Sequence, residues 1–286
     1  MSHIIVKDIH KSYKRNQVLN GLSFDCKNEI VFLAGKNGAG KTTFIRLALG
    51  LDKEDKGSII FDGDKNLGVV FDTPGLYKNL TCTENINIFC TGYLDDKPYM
   101  DKILKTLRID SSLLKKRVGK CSFGQQHRIG VAISLIRKPV YLFLDEPTIG
   151  LDPESWEMVR ECILINKEKQ NGCVIITGQD YFEMGNLADK ILVLDEGQAK
   201  FYESVPSFIN KFKQRIKLIT DKEIVFDSEL GKYIEKKEMV GNEYHYYFEK
   251  RDQILDLIHN SKIKILHLST EHIDLKDAFL RSIDIK

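Results

Sequence analysis

No apolar run in the 286-residue sequence approaches the ~18–20 residues needed to cross a bilayer, so nothing in it reads as a membrane span. His3, Lys7 and Asp8 interrupt the N-terminus too early for the apolar stretch of a signal peptide, so no secretory leader is expected. Charge of one sign is not in excess: 43 Lys and Arg face 41 Asp and Glu, a formal +2. A domain that grips nucleic acid by bulk charge carries a clear basic surplus, so no nucleic-acid partner is expected. The six cysteines, at 26, 82, 90, 121, 162 and 173, form no Cys-x-x-Cys and no Cys/His pair at zinc spacing. They read as free thiols in a reducing cytosol. There is no internal repeat and no low-complexity tract. What remains, 42% apolar and 29% charged residues, describes an ordinary globular chain long enough for one or two domains.

Short β-branched, apolar runs at residues 3–6, 29–34, 57–63, 140–144, 173–177 and 190–194 read as strands. Residues 44–49 and 156–169 read as helices, and residues 80–137 as a helical stretch. The run 140–144 has no polar residue, as expected of a strand covered on both faces. Strands alternating with helices predict an α/β domain with a largely parallel sheet. After about residue 202 the style changes. A helix end and short strands are expected over 211–227, a strand at 243–248, a short helix at 252–259, a strand at 264–268 and a closing helix at 275–283. The aromatic run 244–248 reads as the core of this appendix, and His245, His259, His267 and His272 lack metal-ligand spacing.

The strongest signal is Gly35-Lys36-Asn37-Gly38-Ala39-Gly40-Lys41-Thr42-Thr43. It satisfies the P-loop pattern and lies between a predicted strand and a predicted helix, the context that confirms it. Its glycines let backbone N–H groups wrap phosphates, Lys41 reaches the β/γ oxygens, and the Thr42 hydroxyl is placed for Mg²⁺. The complement to such a loop is a carboxylate at the end of a buried strand, and Asp145-Glu146 follows residues 140–144 directly. Asp145 can hold Mg²⁺ through water, and Glu146 can act as general base toward an attacking water. No Asn-Lys-x-Asp guanine reader is present, and no sustained heptads occur, which disfavours small GTPases and long coiled-coil ATPases. About 100 residues separate Lys41 from Asp145, so a helical subdomain is inserted between them.

Within that insertion stands Cys121-Ser122-Phe123-Gly124-Gln125, followed later by Asp145-Glu146-Pro147-Thr148-Ile149-Gly150-Leu151-Asp152-Pro153. In this order the motifs resemble the ATP-binding subunit of ABC transporters, over residues 3 to about 200. The resemblance implies a P-loop core (the ABC cassette) over residues 1–205, with the helical insertion at about 80–137 and a small α+β accessory domain at 206–286. It places Tyr13 at the aromatic that stacks on adenine, residues 121–125 on the signature, and Asp152 in the D-loop. Read alone, Ser122-x-Gly124 is a helix N-cap. In the family, Ser122, Phe123, Gly124 and Gln125 would meet the ATP of a second ATP-binding subunit in a homo- or heterodimer. The tail, with Leu275-x-Asp277-x-Phe279, resembles that of ABC-2-type drug and peptide exporter subunits.

Three positions leave the family pattern: Asp72 stands where the Q-loop glutamine is expected, Phe123 replaces the first signature glycine, and Gln179 replaces the switch histidine. Glutamine can donate a hydrogen bond to a phosphate oxygen but cannot become cationic. The resemblance therefore implies a MgATP-hydrolysing subunit on the cytoplasmic side of the membrane, driving a separate transmembrane permease and docking through residues 74–80. The alternative is a weakly hydrolysing regulatory subunit paired with an active sister.

Overall fold

The computed structural model describes residues 2–212, 215–226, 231–249, 264–271 and 273–284. The chain divides into two compact units, Met1–Val205 and Pro206–Lys286.

In the first unit the chain order begins β1 (His3–Tyr13), β2 (Asn16–Lys27), β3 (Ile30–Ala34), α1 (Lys41–Ala48), β4 (Lys56–Asp62) and β5 (Leu67–Val70). The insertion contributes α2 (Cys82–Phe89), α3 (Lys97–Thr106), α4 (Ser111–Lys115) and α5 (Phe123–Ile136). Then come β6 (Tyr141–Leu144), α6 (Pro153–Gln170), β7 (Cys173–Thr177), α7 (Tyr181–Leu187), β8 (Lys190–Asp195) and β9 (Gln198–Ser204). Six strands form the central sheet in the order β5-β6-β7-β3-β8-β9, parallel except for the antiparallel edge strand β9. Every residue of β3, β6 and β7 is buried, as their apolar composition, broken only by Thr177 at the end of β7, requires of central parallel strands.

The register decides where the chemistry falls. Leu33 of β3 pairs with Thr177 of β7, and Leu144 of β6 pairs with Ile176. The loops leaving β3, β6 and β7 therefore emerge side by side at the carboxyl edge of the sheet, the position at which open α/β sheets bind ligands.

A second, antiparallel sheet, β2-β1-β4, shares one apolar core with the central sheet. Phe24 of β2 meets Phe44 of α1 edge-on at 5.3 Å. The sequence reading ended the first strand at residue 6 and missed β2 entirely. Polar residues alternate through β2, and its interior Gly21 sits at φ 82, so the pattern is weak although Leu19, Leu22, Phe24 and Cys26 are buried. β5 and β9 were also missed, the first for its four residues, the second because it is a half-exposed edge.

The predicted helical insertion resolves into four helices whose starts are dictated by caps. Thr81 with Glu84 and Ser122 with Gln125 form reciprocal capping boxes, while Asp96 and Asp110 accept from N–H groups of the first turns of α3 and α4. Helix α6 opens at Pro153 with Asp152 as its cap and closes on Asn171 at φ 46.

The helix α8 (Val205–Lys211) stands at the boundary between the units. The second unit holds β10 (Arg215–Thr220), β11 (Ile234–Val240), β12 (Glu243–Glu249), β13 (His267–Glu271) and a terminal helix α9 (Leu275–Asp284). Its sheet, β11-β12-β10-β13, is antiparallel throughout, and Ile216, Leu218, Tyr246 and Phe248 form its core. Residues 222–226 are irregular rather than a strand: the Ile224 N–H is taken by the Tyr246 hydroxyl at 2.7 Å instead of by a ladder. The strand expected at 264–268 begins at His267 and runs on to Glu271. The helix expected over 252–259 lies outside the described residues.

Candidate functional site

The loop after β3 is shaped by glycine. A Cβ at Gly35 would lie 2.7 Å from the Leu194 carbonyl oxygen, and one at Gly40, at φ 106, would lie 2.8 Å from a Leu19 methyl. Gly38, at φ 83, faces open space. Helix α1 starts at Lys41 with no side-chain cap, so its first-turn N–H groups are free to meet an anion. Lys41 is only 7% exposed, and its ammonium donates to the carbonyls of Gly35 (2.8 Å) and Lys36 (3.2 Å). Burial pushes its pKa down, an effect opposed by the charges of Glu146 and Asp145. A buried cation, uncapped N–H groups and an open glycine turn fit a polyphosphate. Lys36, Asn37 and Gly38 are exposed at the rim, Ala39 is half-buried, and Thr42 and Thr43 lie in the first turn of α1.

Asp145 and Glu146 leave β6 beside this loop. Asp145 is buried, and its Oδ1 accepts from the Thr177 hydroxyl at 2.7 Å, while the same hydroxyl oxygen accepts the Glu146 N–H at 3.0 Å. Thr177, fully buried at the end of β7, thus holds the Asp145 carboxylate and the Glu146 backbone together. Glu146 sits at φ 53, a left-handed conformation that non-glycine residues avoid, held there by these contacts. Its Oε1 accepts from the Gln179 side chain at 3.5 Å. Among the described residues Asp145 Oδ2 takes no hydrogen bond, and with the exposed Thr42 hydroxyl it suits a hydrated Mg²⁺. Among the described residues no cluster of three or more His, Cys, Asp or Glu forms a metal site of its own.

Tyr13, at the end of β1, is 42% exposed, and its hydroxyl donates to Asp52 Oδ2 at 2.6 Å. Asp72 is exposed, with its Oδ1 accepting its neighbour's Thr73 N–H at 2.7 Å. Ser122 caps α5, with its Oγ accepting from the Gln125 N–H at 3.2 Å, and Gln125 Oε1 accepts from both Ser122 N–H (3.1 Å) and Lys116 (3.2 Å). Among the described residues no hydrogen bond or ion pair of residues 122–125 reaches residues 35–43. Phe123 lies against Gly150: a Cβ on that glycine would come within 2.6 Å of the ring. Gly124 has room, with Leu151 at 3.8 Å from its virtual Cβ. Asp152 caps α6 through the Ser155 N–H at 2.7 Å. The structure thus gathers Lys41, Asp145, Glu146, Thr177 and Gln179 in one place and pairs Phe123 with residue 150.

The family described as ABC transporter matches residues 19–149. The lantibiotic transport ATP-binding protein SrtF of Streptococcus pyogenes is 34% identical over 202 residues, spanning 68% of this chain and 87% of that protein. This chain belongs to the ATP-binding subunits of ABC transporters. The bacitracin transport ATP-binding protein BcrA of Bacillus licheniformis is likewise 34% identical to this ABC subunit, over 220 residues, 72% of this chain and 71% of that one. Among solved structures, an ATP-binding subunit of an ABC transporter superposes with a TM-score of 0.66 at 23% identity, covering 73% of this chain and 92% of that one. The dimeric cassette MJ0796, bound to ADP and Pi after hydrolysis, gives 0.62 at 23%, covering 71% and 98%. At that identity these establish the fold. The subunit is accordingly an ATP-binding protein of an ATPase family, and among its described residues no helix is long and apolar enough to cross a membrane.

Sequence reasoning missed three residues of this ABC subunit. Thr177 ends a strand, and a threonine there carries no signal until the register sets it against the Asp145 carboxylate and the Glu146 N–H. Asp52 gave none, being one acid in a charged loop. His127, one turn after the signature, is fully buried with neither ring nitrogen hydrogen-bonded. Burial pushes its pKa down to about 4, against a smaller upward pull from Asp72.

Proposed function

We propose that this subunit binds MgATP on its P-loop, closes on a second ATP-binding subunit in a homo- or heterodimer, and hydrolyses ATP to drive a separate transmembrane permease from the cytoplasmic face of the membrane. The observation that carries the reading is the gathering of Asp145 and Glu146, joined through Thr177, within charge range of the buried Lys41 of the P-loop. The backbone of residues 35–43 and the Lys41 ammonium hold the phosphates, and Tyr13 offers its ring to the adenine. Thr42 and Asp145 would hold Mg²⁺, which when bound would neutralise charge developing on the phosphate oxygens. Glu146 takes the proton of the attacking water, and Gln179 and Asp72 flank that water. Ser122, Phe123, Gly124 and Gln125 contact the nucleotide of the partner subunit, and Asp152 belongs to the segment that faces it. Both relatives named for peptide-antibiotic transport make an exporter of peptides, drugs or lipids the favoured assignment.

Docking of the permease is assigned to residues 74–80 and the insertion. A cleft of about 300 Å³ there is lined by Phe71, Thr73, Pro74, Leu76, Phe89 and Arg137. Tyr77, 54% exposed, stacks on Phe89 of that lining at 5.6 Å.

One observation favours the weakly hydrolysing alternative. The Gln179 amide points at Glu146 Oε1 and carries no positive charge for the γ-phosphate. Phosphate release by the pure subunit, with and without its permease, separates the two readings. Gln179→His is expected to raise turnover by about tenfold, part of the 10²–10³ commonly traced to one preorganised donor. A subunit that releases no phosphate in either setting, before or after that substitution, contradicts the hydrolytic reading.

A further inference from the structure

The Tyr13 phenol meets Thr43 of the P-loop, and its main tie lies outside that loop. Its hydroxyl donates to Asp52 Oδ2 at 2.6 Å, and the same oxygen accepts Arg46 Nε at 2.7 Å. Arg46 also reaches Asp52 Oδ1 at 3.4 Å. Arg46 lies in α1, the helix whose N-terminus forms the phosphate cradle, and Asp52 lies just beyond that helix. The carboxylate therefore bridges a phosphate-binding element and a strand-end aromatic 39 residues distant in sequence.

The surrounding loop is built to keep that bridge in place. Asp55 Oδ2 accepts the Ser12 N–H at 2.7 Å, and the Asp55 N–H donates to the His10 carbonyl at 2.9 Å. Lys11 donates to the Lys53 carbonyl at 2.6 Å and places its ammonium 5.1 Å from the Tyr13 ring centroid. One face of the ring is thus occupied by a cation, while 42% of the residue stays exposed.

We infer that Asp52 is a positioning residue for nucleotide binding, tying the Tyr13 ring to Arg46 of α1 so that base platform and phosphate cradle are set at a fixed spacing. The inference rests on the proposed reading of Tyr13 as the adenine platform. The ionisation states suit it. Hydrogen bonds from Arg46 and then Tyr13 hold the Asp52 carboxyl at about 2, and the hydrogen bond to Asp52 pushes the Tyr13 phenol up, so each partner keeps its form at neutral pH. A ring held in advance binds a base without losing side-chain freedom at that moment, and such ordering costs about 0.5–1.5 kcal/mol per side chain, or roughly two- to tenfold in affinity.

The test is calorimetric titration of the full chain with MgATP and, separately, with inorganic tripolyphosphate and Mg²⁺, for Tyr13→Phe, Asp52→Ala, their combination and Tyr13→Ala. Tyr13→Phe keeps the ring and loses the tether, and a substitution at this exposed position leaves the fold intact. Tyr13→Phe and Asp52→Ala are each expected to weaken ATP by about two- to tenfold. The combination is expected to be no weaker than the worse single variant, and tripolyphosphate affinity to be unchanged. Unchanged ATP affinity in Tyr13→Phe and Asp52→Ala, with Tyr13→Ala weakened, overturns the role of Asp52 and leaves Tyr13 as the platform. Unchanged affinity in Tyr13→Ala overturns the platform reading itself. Equal loss for ATP and tripolyphosphate in Asp52→Ala also overturns the inference, because the carboxylate would then be holding the fold and not the base site.

Discussion

Thr177→Val isolates the contact that joins the Asp145 carboxylate to the Glu146 backbone. The substitution keeps the shape of a fully buried side chain and removes one oxygen that serves two hydrogen bonds, to Asp145 at 2.7 Å and from the Glu146 N–H at 3.0 Å. Each buried partner left unpaired costs about 1–3 kcal/mol, and the added methyl returns part of one. The expected net loss is about 2–4 kcal/mol, which for a unit of roughly 200 residues lowers the melting temperature by about 5–15 °C. Thr177→Ser, which keeps the hydroxyl, is expected to stay within about 1 kcal/mol of the wild type. Function follows the same contact. Glu146 is held at φ 53, and freed of the Thr177 oxygen its carboxylate drifts from the attacking water. A displacement near 1 Å is enough to reduce turnover about 10²-fold, while ATP affinity moves less because the P-loop is untouched. Thermal unfolding and phosphate release on the same preparations measure both effects. A Thr177→Val protein as stable and as active as Thr177→Ser refutes the reasoning, since the hydroxyl would then have no net worth in the site.

His127 supplies a pH prediction. With a folded pKa near 4 against an ordinary 6.5, the residue is neutral in both states above pH 6.5 and contributes nothing there. As pH falls below 6.5 the unfolded chain takes up a proton that the folded chain refuses, so stability is lost down to about pH 4. At pH 5 the loss is about 2 kcal/mol. His127→Leu is expected to match or exceed the wild type in urea at pH 7.5 and to escape that part of the acid loss; identical pH dependence in the two proteins contradicts it. Gly150→Ala is expected to cost about 1–2 kcal/mol through its φ of 69 alone and about 1 kcal/mol more while Phe123 occupies the space of the new methyl. Denaturant unfolding of Gly150→Ala with and without Phe123→Gly measures the coupling, and strict additivity shows that Phe123 does not rest on that glycine.

The P-loop was legible because its chemistry is local: glycine spacing, a lysine and a hydroxyl need no partner far along the chain to be recognised. The strands at 29–34, 140–144 and 173–177 were legible for a related reason, since central parallel strands are apolar on both faces. Strand β2 escaped notice because its buried side chains alternate with polar ones around a glycine, and an edge of that kind is specified by what packs on it. Thr177, Asp52 and His127 were illegible for another reason. Each acquires its role from a neighbour on a different element: a carboxylate one strand over, a tyrosine at a strand end, an apolar helix interior. Phe123 was visible as a departure from the signature, yet its seat on Gly150 came only from the fold.

The central claim is that this chain hydrolyses ATP through Glu146 at a site completed by a second subunit, and Glu146→Gln addresses it most directly. The substitution keeps the side chain's size and removes its basicity, leaving the Lys41 cradle, Asp145 and Thr177 in place. The measurement is light scattering after size exclusion, following incubation with MgATP and whichever ATP-binding chain, this one or a second, pairs with it, with the nucleotide recovered from the peak. The expected result is a stable dimer carrying unhydrolysed ATP where the wild type returns to monomers and ADP. A Glu146→Gln protein that releases phosphate at the wild-type rate and leaves no ATP-bound dimer contradicts it.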